Sequence, residues 1–521
     1  MDQAIRSKRF ELFAFGLAGF ISAAVLFAVA QLVSVFFATS SAPFVALGST
    51  FIDFTPPWLK DFAIATFGTN DKLALFVSLG IVSAILATLV GLLARRNFAA
   101  AAIAILILAA VIGASVITRS ATDSMDLVPV IIGTILGLGT LKWLTGLAST
   151  GRSPRDEEEP SAGPSRRKFL VASSLSLLGA AIAAGVGTSI AATRNAAEAA
   201  RLALGLPAPK AKAAKIPTGA QVDVKGMPKF VTPNEDFYRI DTALSVPRID
   251  PAEWSLRVHG MVDNEFTMSF NDLLGEELVE SYLTLTCVSN PVGGDLVGNA
   301  KWLGYPLRKL LERAGPQAGA DMVLSTSIDG FSASTPLEIL TDDRMALLAL
   351  GMNDEPLPLE HGFPVRMVVP GLYGYVSATK WVVDLEVTRF GEKDAYWTTR
   401  GWSERGPIKM SSRVDVPRSF TKLPPGEVVI GGTAWAQTIG ISKVEVKVDD
   451  EPWQKAELAE EATLDTWRQW RYVWKGGSSG NHSVTVRAYN ADGEMQTSDR
   501  ADPVPNGASG WQRVQFSITD S

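Results

Sequence analysis

The chain has 521 residues, 48 lysines and arginines against 54 aspartates and glutamates, and a net charge of −6. That length leaves room for several domains at roughly 100–200 residues each, and the mildly acidic balance gives no electrostatic footprint for nucleic acid. A single cysteine, Cys287, excludes an internal disulfide, so packing must hold the fold.

Reading from the N-terminus, the apolar stretches Leu12–Ala38, Leu73–Ala94, Phe98–Ile117, Leu127–Leu147 and Phe169–Ala192 each reach the about 20 residues that a bilayer-crossing helix needs. In succession, they predict an all-α transmembrane module of about five helices over residues 1–194 in a lipid bilayer. Lys142, near the end of the fourth, can snorkel to the interface. Arg6, Lys8 and Arg9 precede the first stretch, Arg95 and Arg96 separate the second from the third, and Arg152, Arg155, Arg166, Arg167 and Lys168 precede the fifth. The alternate loops hold only Lys60, Lys72 and Arg119.

Basic loops stay cytoplasmic. The pattern predicts a cytoplasmic N-terminus, a cytoplasmic linker at 148–168, and a body outside the cytoplasmic membrane. SRRKFL, Ser165 to Leu170, resembles a twin-arginine export signal and reads equally as a basic anchor before the fifth span. His259, His361 and His482 all lie outside the spans, so no haem held by facing histidines is expected in this chain. The spans read as an anchor or a partner-docking surface, and their lack of buried ionisable groups argues against a pump. The loop Thr39–Asp71 offers Trp58 and its phenylalanines to the outer interface.

Residues 195–221 read as a short helix followed by an Ala/Pro/Lys linker. Over residues 222–402 strand-like runs (WSLRVHGMV, PVRMVVPG, WVVDLEVTRF) mix with LRKLLERAG and PLEILTDDRMALLALG, whose apolar residues recur at helical spacing; the class is α+β. Residues 403–521 turn all-β. In ISKVEVKVDD, Val444, Val446 and Val448 alternate with Lys443, Glu445 and Lys447, and NADG supplies a turn. Short strands at such intervals predict a C-terminal Ig-like β-sandwich of about 110 residues, with Trp467, Trp470 and Trp474 in core or interface packing.

Three readings of Cys287 stay open on its residue type: a small buried hydrophobe, a nucleophile with His361 or His259 as base, or a ligand to a soft or high-valent metal. One cysteine and three scattered histidines offer no CxxC or HExxH zinc constellation. The flanking sequence decides. TPNEDFYRIDT, LTCVSNPVGG with NAKWLGYPLRKLLERAG, HGFPVRMVVPGLYGYVSATKW and YWTTRGWSERGPIKMSSRVDVP, in this order, resemble the sulfite oxidase family of molybdopterin-dependent oxidoreductases, of the membrane-anchored bacterial type. The resemblance covers about 300 residues, from Val222 onward.

The resemblance implies a sulfite-oxidase-like molybdopterin domain, with Cys287 as molybdenum ligand and Arg239 and Tyr238 beside the reacting centre. The cofactor is molybdopterin, bound through Asn234, Tyr238, Cys287, Asp329, His361, Arg366, Ser377 and Lys380. A phosphate tail calls for converging cations, which Arg366 and Lys380 provide, with His361 adding a donor. The family also implies a small-molecule substrate, a separate membrane or extracytoplasmic electron-transfer partner, and a homodimer through the C-terminal domain. Here the chain departs from animal and plant sulfite oxidases: the first loop reads FYRIDT instead of Arg-Asn-His, and Pro291 stands near the place of a second arginine. Sulfite-like anion and S- or N-oxide therefore both stay open as substrates. The alternative from a different class is a degenerate member serving as a metal-free, membrane-tethered binding module.

Overall fold

A computed structural model describes residues 2–37, 41–56, 59, 62–63, 66–67, 71–118, 124–149, 164–193, 196–243 and 245–519. Trp58, Lys60, Arg119 and residues 150–163 of the 148–168 linker lie outside the described residues. The chain divides into two compact units, Met1–Asn195 with Ala243–Pro247, and Ala196–Thr242 with Arg248–Ser521.

The first unit is helical: α1 (Asp2–Ser34), α2 (Pro43–Phe54), α3 (Asp71–Arg96), α4 (Phe98–Ile117), α5 (Val128–Ser149) and α6 (Pro164–Thr193). Among the described residues, five helices are long and apolar enough to cross a membrane, and α2 is a shorter apolar helix inside the expected Thr39–Asp71 loop. The first unit packs α1 against α3, α5 and α6. Gly19 and Gly91 permit this approach, since a Cβ on Gly19 would strike the Ala87 carbonyl and one on Gly91 the Phe15 carbonyl. Two ionisable features stand just outside the ends of the expected spans. Glu11 and Arg95 pair at 3.0 Å, and Asp126 is buried just before α5.

In the second unit, α7 (Ala196–Ala203) is the expected short helix. The Ala/Pro/Lys segment after it is no free linker. Lys210 N donates to Leu278 O (2.8 Å), and Ala211 bridges in parallel to Val279. The unpaired backbone of a sheet edge recruits it, a tertiary effect that composition does not reveal.

Two sheets follow, the first mixed through a parallel strand pair and the second antiparallel throughout its strand pairs. One has the order β2-β1-β10-β5-β6: β1 (Ser255–Gly260), β2 (Phe266–Ser269), β5 (Met322–Ser327), β6 (Ser332–Pro336) and β10 (Val382–Thr388). The other runs β3-β4-β7-β8 with β9 on β7: β3 (Val279–Thr286), β4 (Val297–Pro306), β7 (Leu347–Met352), β8 (Glu355–Pro356) and β9 (Arg366–Val368). The LRKLLERAG helix forms as α8 (Leu307–Ala314), closed by Gly315 in the left-handed region. PLEILTDDRMALLALG is helical only over α9 (Leu337–Thr341); its second half is β7. Every residue of β7 is buried, and a short two-sided strand has the same continuous apolar run as a buried helix.

The C-terminal region is all-β, as expected. Sheet β11-β13-β17-β16 comprises β11 (Ser411–Val416), β13 (Gly426–Trp435), β16 (Glu457–Leu458) and β17 (Arg468–Gly477). Sheet β12-β19-β18-β14-β15 comprises β12 (Lys422–Leu423), β14 (Ile441–Val448), β15 (Gln454–Lys455), β18 (Gly480–Asn490) and β19 (Gln512–Ile518). Val444, Val446 and Val448 point into a shared core with Trp470 and Trp474, and Trp467 is buried in a neighbouring cluster.

Candidate active site

A cavity of about 110 Å³ in the second unit gathers residues that stand far apart in sequence. Cys287 is the first residue after β3 and lines the cavity with Leu285, as alternate residues of an extended chain share a face. The following loop closes on itself. Cys287 N donates to Leu296 O (3.0 Å), Asn290 N to Cys287 O (3.1 Å), and Leu296 N to the Asn290 side chain (3.0 Å). Burial pushes the Cys287 thiol pKa up, against only the hydrogen bonds from Ser289. The protein alone therefore does not generate the thiolate that nucleophilic catalysis requires, whereas a bound metal would.

A second arm supplies cations. Arg366 opens β9 and bridges antiparallel to Lys380, and both are buried. Arg366 donates to the carbonyls of His361 (3.1 Å) and Ala378 (3.4 Å), with Trp302 5.2 Å beneath its guanidinium. No carboxylate pairs with it among the described residues. Burial draws its pKa down to about 10, which leaves it protonated at neutral pH. Lys380 Nζ donates to Asp241 (2.9 Å) and to Glu360 O (3.0 Å). Burial pulls its pKa down to about 8, and Asp241 works against that fall. The same Asp241 oxygen accepts from Arg239 Nε at 2.9 Å, so one buried carboxylate serves two cations.

The backbone here is specialised. Gly362 has φ +111°, and a Cβ on it would press within 3.0 Å of the Arg366 Cβ and 3.2 Å of the Lys380 Cβ. Trp381, beside Lys380, has φ +51°, a region a bulky side chain rarely takes. Its indole donates to Leu359 O (3.0 Å), and its carbonyl accepts from Ile328 N (3.0 Å). Strain of this kind gathers at ligand clamps.

Of the nine residues singled out in the sequence, Cys287, Tyr238, Arg239, Asp329, His361, Arg366 and Lys380 line the cavity. Asn234 and Ser377 do not. The Asn234 side chain is engaged by Asn353 (2.8 Å) and Glu355, and the Ser377 hydroxyl donates to Tyr373 O (3.0 Å). His361 also differs from expectation. Its Nε2 sits 3.2 Å from the Asn234 carbonyl, which only accepts, so that N–H is already used. Burial and the neighbouring Arg366 push its pKa down to about 4, and it stays neutral. Burial raises the Tyr238 hydroxyl and Asp329 carboxyl pKa values. The sequence reading passed over Asp241, two positions beyond Arg239, and the aromatic lining of Phe331, Tyr375, Trp397 and Trp402. The quoted runs TPNEDFYRIDT, HGFPVRMVVPGLYGYVSATKW and YWTTRGW held Asp241, Tyr375 and the two tryptophans, but nothing in them marked these residues as lining.

The donor set fits a metal-bearing pterin. Among the described residues no group of three His, Cys, Asp or Glu side chains could hold a metal ion. A metal bound through Cys287 must therefore bring its other ligands on a cofactor. Ser327 Oγ, buried in the lining beside Asp329, has no well-formed hydrogen bond among the described residues. Buried hydroxyls seldom stay so.

Residues 243–397 match the family described as oxidoreductase molybdopterin binding domain. Mitochondrial sulfite oxidase of Rattus norvegicus is 29% identical over 289 residues, 46% of this chain and 52% of its own length. The uncharacterized oxidoreductase YuiH of Bacillus subtilis is 34% identical over 160 residues, 30% of this chain and 76% of its own. The chain belongs to the sulfite oxidase family of molybdopterin oxidoreductases. It spans about half the length of the mitochondrial sulfite oxidases it matches. The matched stretch holds Cys287, Asp329, His361, Arg366, Ser377 and Lys380, and leaves Asn234, Tyr238 and Arg239 just upstream. Among solved structures, the sulfane dehydrogenase SoxCD of Paracoccus pantotrophus covers 56% of this chain and 81% of its own, with 21% identity and a TM-score of 0.49.

Proposed function

We propose that this family member is a membrane-anchored molybdenum oxidoreductase that moves an oxygen atom to or from a small substrate, either a sulfite-like anion or an S- or N-oxide. The carrying observation is that Cys287 shares one cavity with the buried cations Arg366 and Lys380. When bound, molybdopterin supplies the two-electron oxygen-atom transfer; the chain supplies position, access and electrostatics. The Cys287 sulfur ligates the metal, and the self-closed loop after β3 fixes where that sulfur sits. Arg366 offers the phosphate a planar fork, Lys380 a point charge, and Asp241 holds Lys380 in place. Neutral His361 orients the first loop through the Asn234 carbonyl. Tyr238 and Arg239 would stand beside the reacting centre, and Ser327 and Asp329, in the same lining, would help hold the pterin.

In the same reading residues 1–194 form the membrane anchor, with a cytoplasmic N-terminus and an extracytoplasmic body. Residues 222–402 form the cofactor domain, and 403–521 an Ig-like sandwich that pairs two copies. Electrons pass one at a time to or from a separate membrane or extracytoplasmic carrier. Metal and pterin analysis of the purified full chain tests the core of this. The expected result is about one molybdenum per chain, with a fluorescent oxidised pterin released on denaturation. A chain matured in molybdenum-competent cells that carries neither is a metal-free binding module instead.

A further inference from the structure

Within the reading above, we infer that the substrate is a neutral oxide, a sulfoxide or amine oxide with a planar apolar substituent, and that Trp397 and Trp402 select it over sulfite. The first argument is charge. The cavity is lined by three cations, Arg239, Arg366 and Lys380, and Asp241 neutralises one unit of that charge. A phosphate monoester carrying about −1.5 to −2 absorbs the surplus of two. Asp329 adds no positive charge in either protonation state. Arg239, the more exposed cation, is already bonded to Asp241. No uncommitted cation remains in the lining to balance the dissolved charge of a small anion, whose desolvation would go uncompensated.

The second argument is the wall. Phe331, Tyr375, Trp397 and Trp402 line the same cavity. Trp402 stands between the other two indole and phenol rings, 5.9 Å from Tyr375 at 50° and 6.0 Å from Trp397 at 73°. The Tyr375 O–H is spent on Ser403 O at 2.7 Å, so Tyr375 offers a ligand its ring and no hydrogen-bond donor. No acceptor among the described residues takes the indole N–H of Trp397 or Trp402. The wall therefore offers ring surface, which favours a planar apolar group, together with neutral donors, which favour a polarised but uncharged oxygen.

The reaction balances as substrate oxide plus two electrons and two protons giving the sulfide or amine plus water. The sulfur–oxygen or nitrogen–oxygen bond breaks, the heteroatom is reduced, and a one-electron carrier is oxidised twice. The test uses the molybdenum-loaded full chain in detergent. Reduced benzyl viologen drives methyl phenyl sulfoxide, pyridine N-oxide and dimethyl sulfoxide, and ferricyanide drives sulfite in the oxidising direction. We expect an aromatic oxide to exceed dimethyl sulfoxide in kcat/KM by about tenfold or more, and sulfite to trail both, since one apolar contact set discriminates by roughly 10–200-fold. The two aromatic probes separate sulfoxide from amine oxide.

Trp402→Ala should raise KM for the preferred aromatic oxide about tenfold more than for dimethyl sulfoxide, and Trp402→Phe should restore most of the preference. As a readout free of turnover, thioanisole or pyridine should quench tryptophan fluorescence in the parent chain and lose most of that quenching in Trp397→Ala/Trp402→Ala. Sulfite turnover faster than every oxide, or an unchanged aromatic preference in Trp402→Ala, overturns the inference while leaving a molybdenum enzyme. A chain devoid of molybdenum overturns the enzyme itself.

Discussion

Between β3 and β10 the chain buries Arg366, Lys380 and His361; between β11 and β19 it buries Val444, Val446, Val448, Trp470 and Trp474. Buried charge is not confined to the first region. The difference lies in how it is balanced. Arg413, on β11, lies 2.7 Å from Asp415, so that pair is locally neutral. Among the described residues Arg366 meets carbonyls and the Trp302 ring but no carboxylate, and Lys380 shares the Asp241 carboxylate with Arg239. An uncompensated buried charge costs several kcal/mol, so a protein retains one where a ligand completes it. One region is organised for stability and the other for an occupant, and mutations should separate the two.

The largest effect is expected at the thiol. Cys287→Ser should lower turnover by a thousandfold or more, about 4 kcal/mol in transition-state terms, with a thermal midpoint close to that of the parent; steady-state assays and a melting curve on the same preparation check both. Trp470→Ala, in the sandwich core, should do the reverse. A fully buried tryptophan leaves a cavity worth about 3–5 kcal/mol, read as a lower denaturant midpoint at unchanged m-value, while native molybdenum content persists in the folded fraction. A retained midpoint would mean the two sheets do not share one core.

Next comes pH. His361 is held near 4 when folded and returns to about 6.5 when unfolded, so between those values the unfolded chain binds the extra proton. Stability is therefore full above pH 6.5 and falls as pH drops toward 4, by up to an order of 3 kcal/mol. His361→Phe should flatten this acid limb; an unaltered limb would place the titration elsewhere.

The sandwich was legible because a period of two survives in its strands, as in ISKVEVKVDD. At the site, Cys287 was legible as the lone cysteine, and Arg366 and Lys380 through the run that holds them. Phe331, Tyr375, Trp397 and Trp402 were not, since they converge only when β6, the turn before Lys380 and the segment after β10 meet. The chemistry of His361 was equally hidden. Nothing in the sequence says that the Asn234 carbonyl accepts a hydrogen bond from its ring N–H. The pairing of Ala211 with Val279 and the strand inside PLEILTDDRMALLALG failed for the same reason: tertiary partners, not local pattern, decide them.

The smallest effect tests whether the two regions are as separate as their cores suggest. Gln437, just beyond β13, is buried; its amide donates to Thr284 O and to Asp465 O (3.0 Å), and its oxygen accepts from Gly371 N (3.0 Å). Thr284 lies three residues before Cys287, and Gly371 lies on the segment leading to Lys380. One side chain from the sandwich half thus ties both arms of the site. Thr284 is gripped further by Trp467 N (2.8 Å), so the strand carrying the thiol is anchored from the C-terminal side. Gln437→Leu keeps the volume but strands these backbone groups, at about 1–3 kcal/mol, and should lower molybdenum retained through gel filtration along with the midpoint. Gln437→Glu should be worse at pH 8, because it sets a carboxylate against two carbonyl oxygens, and should recover as acidification restores a donor. If both variants keep their full molybdenum, the junction is passive packing and the site is built by β3, β9 and their loops alone.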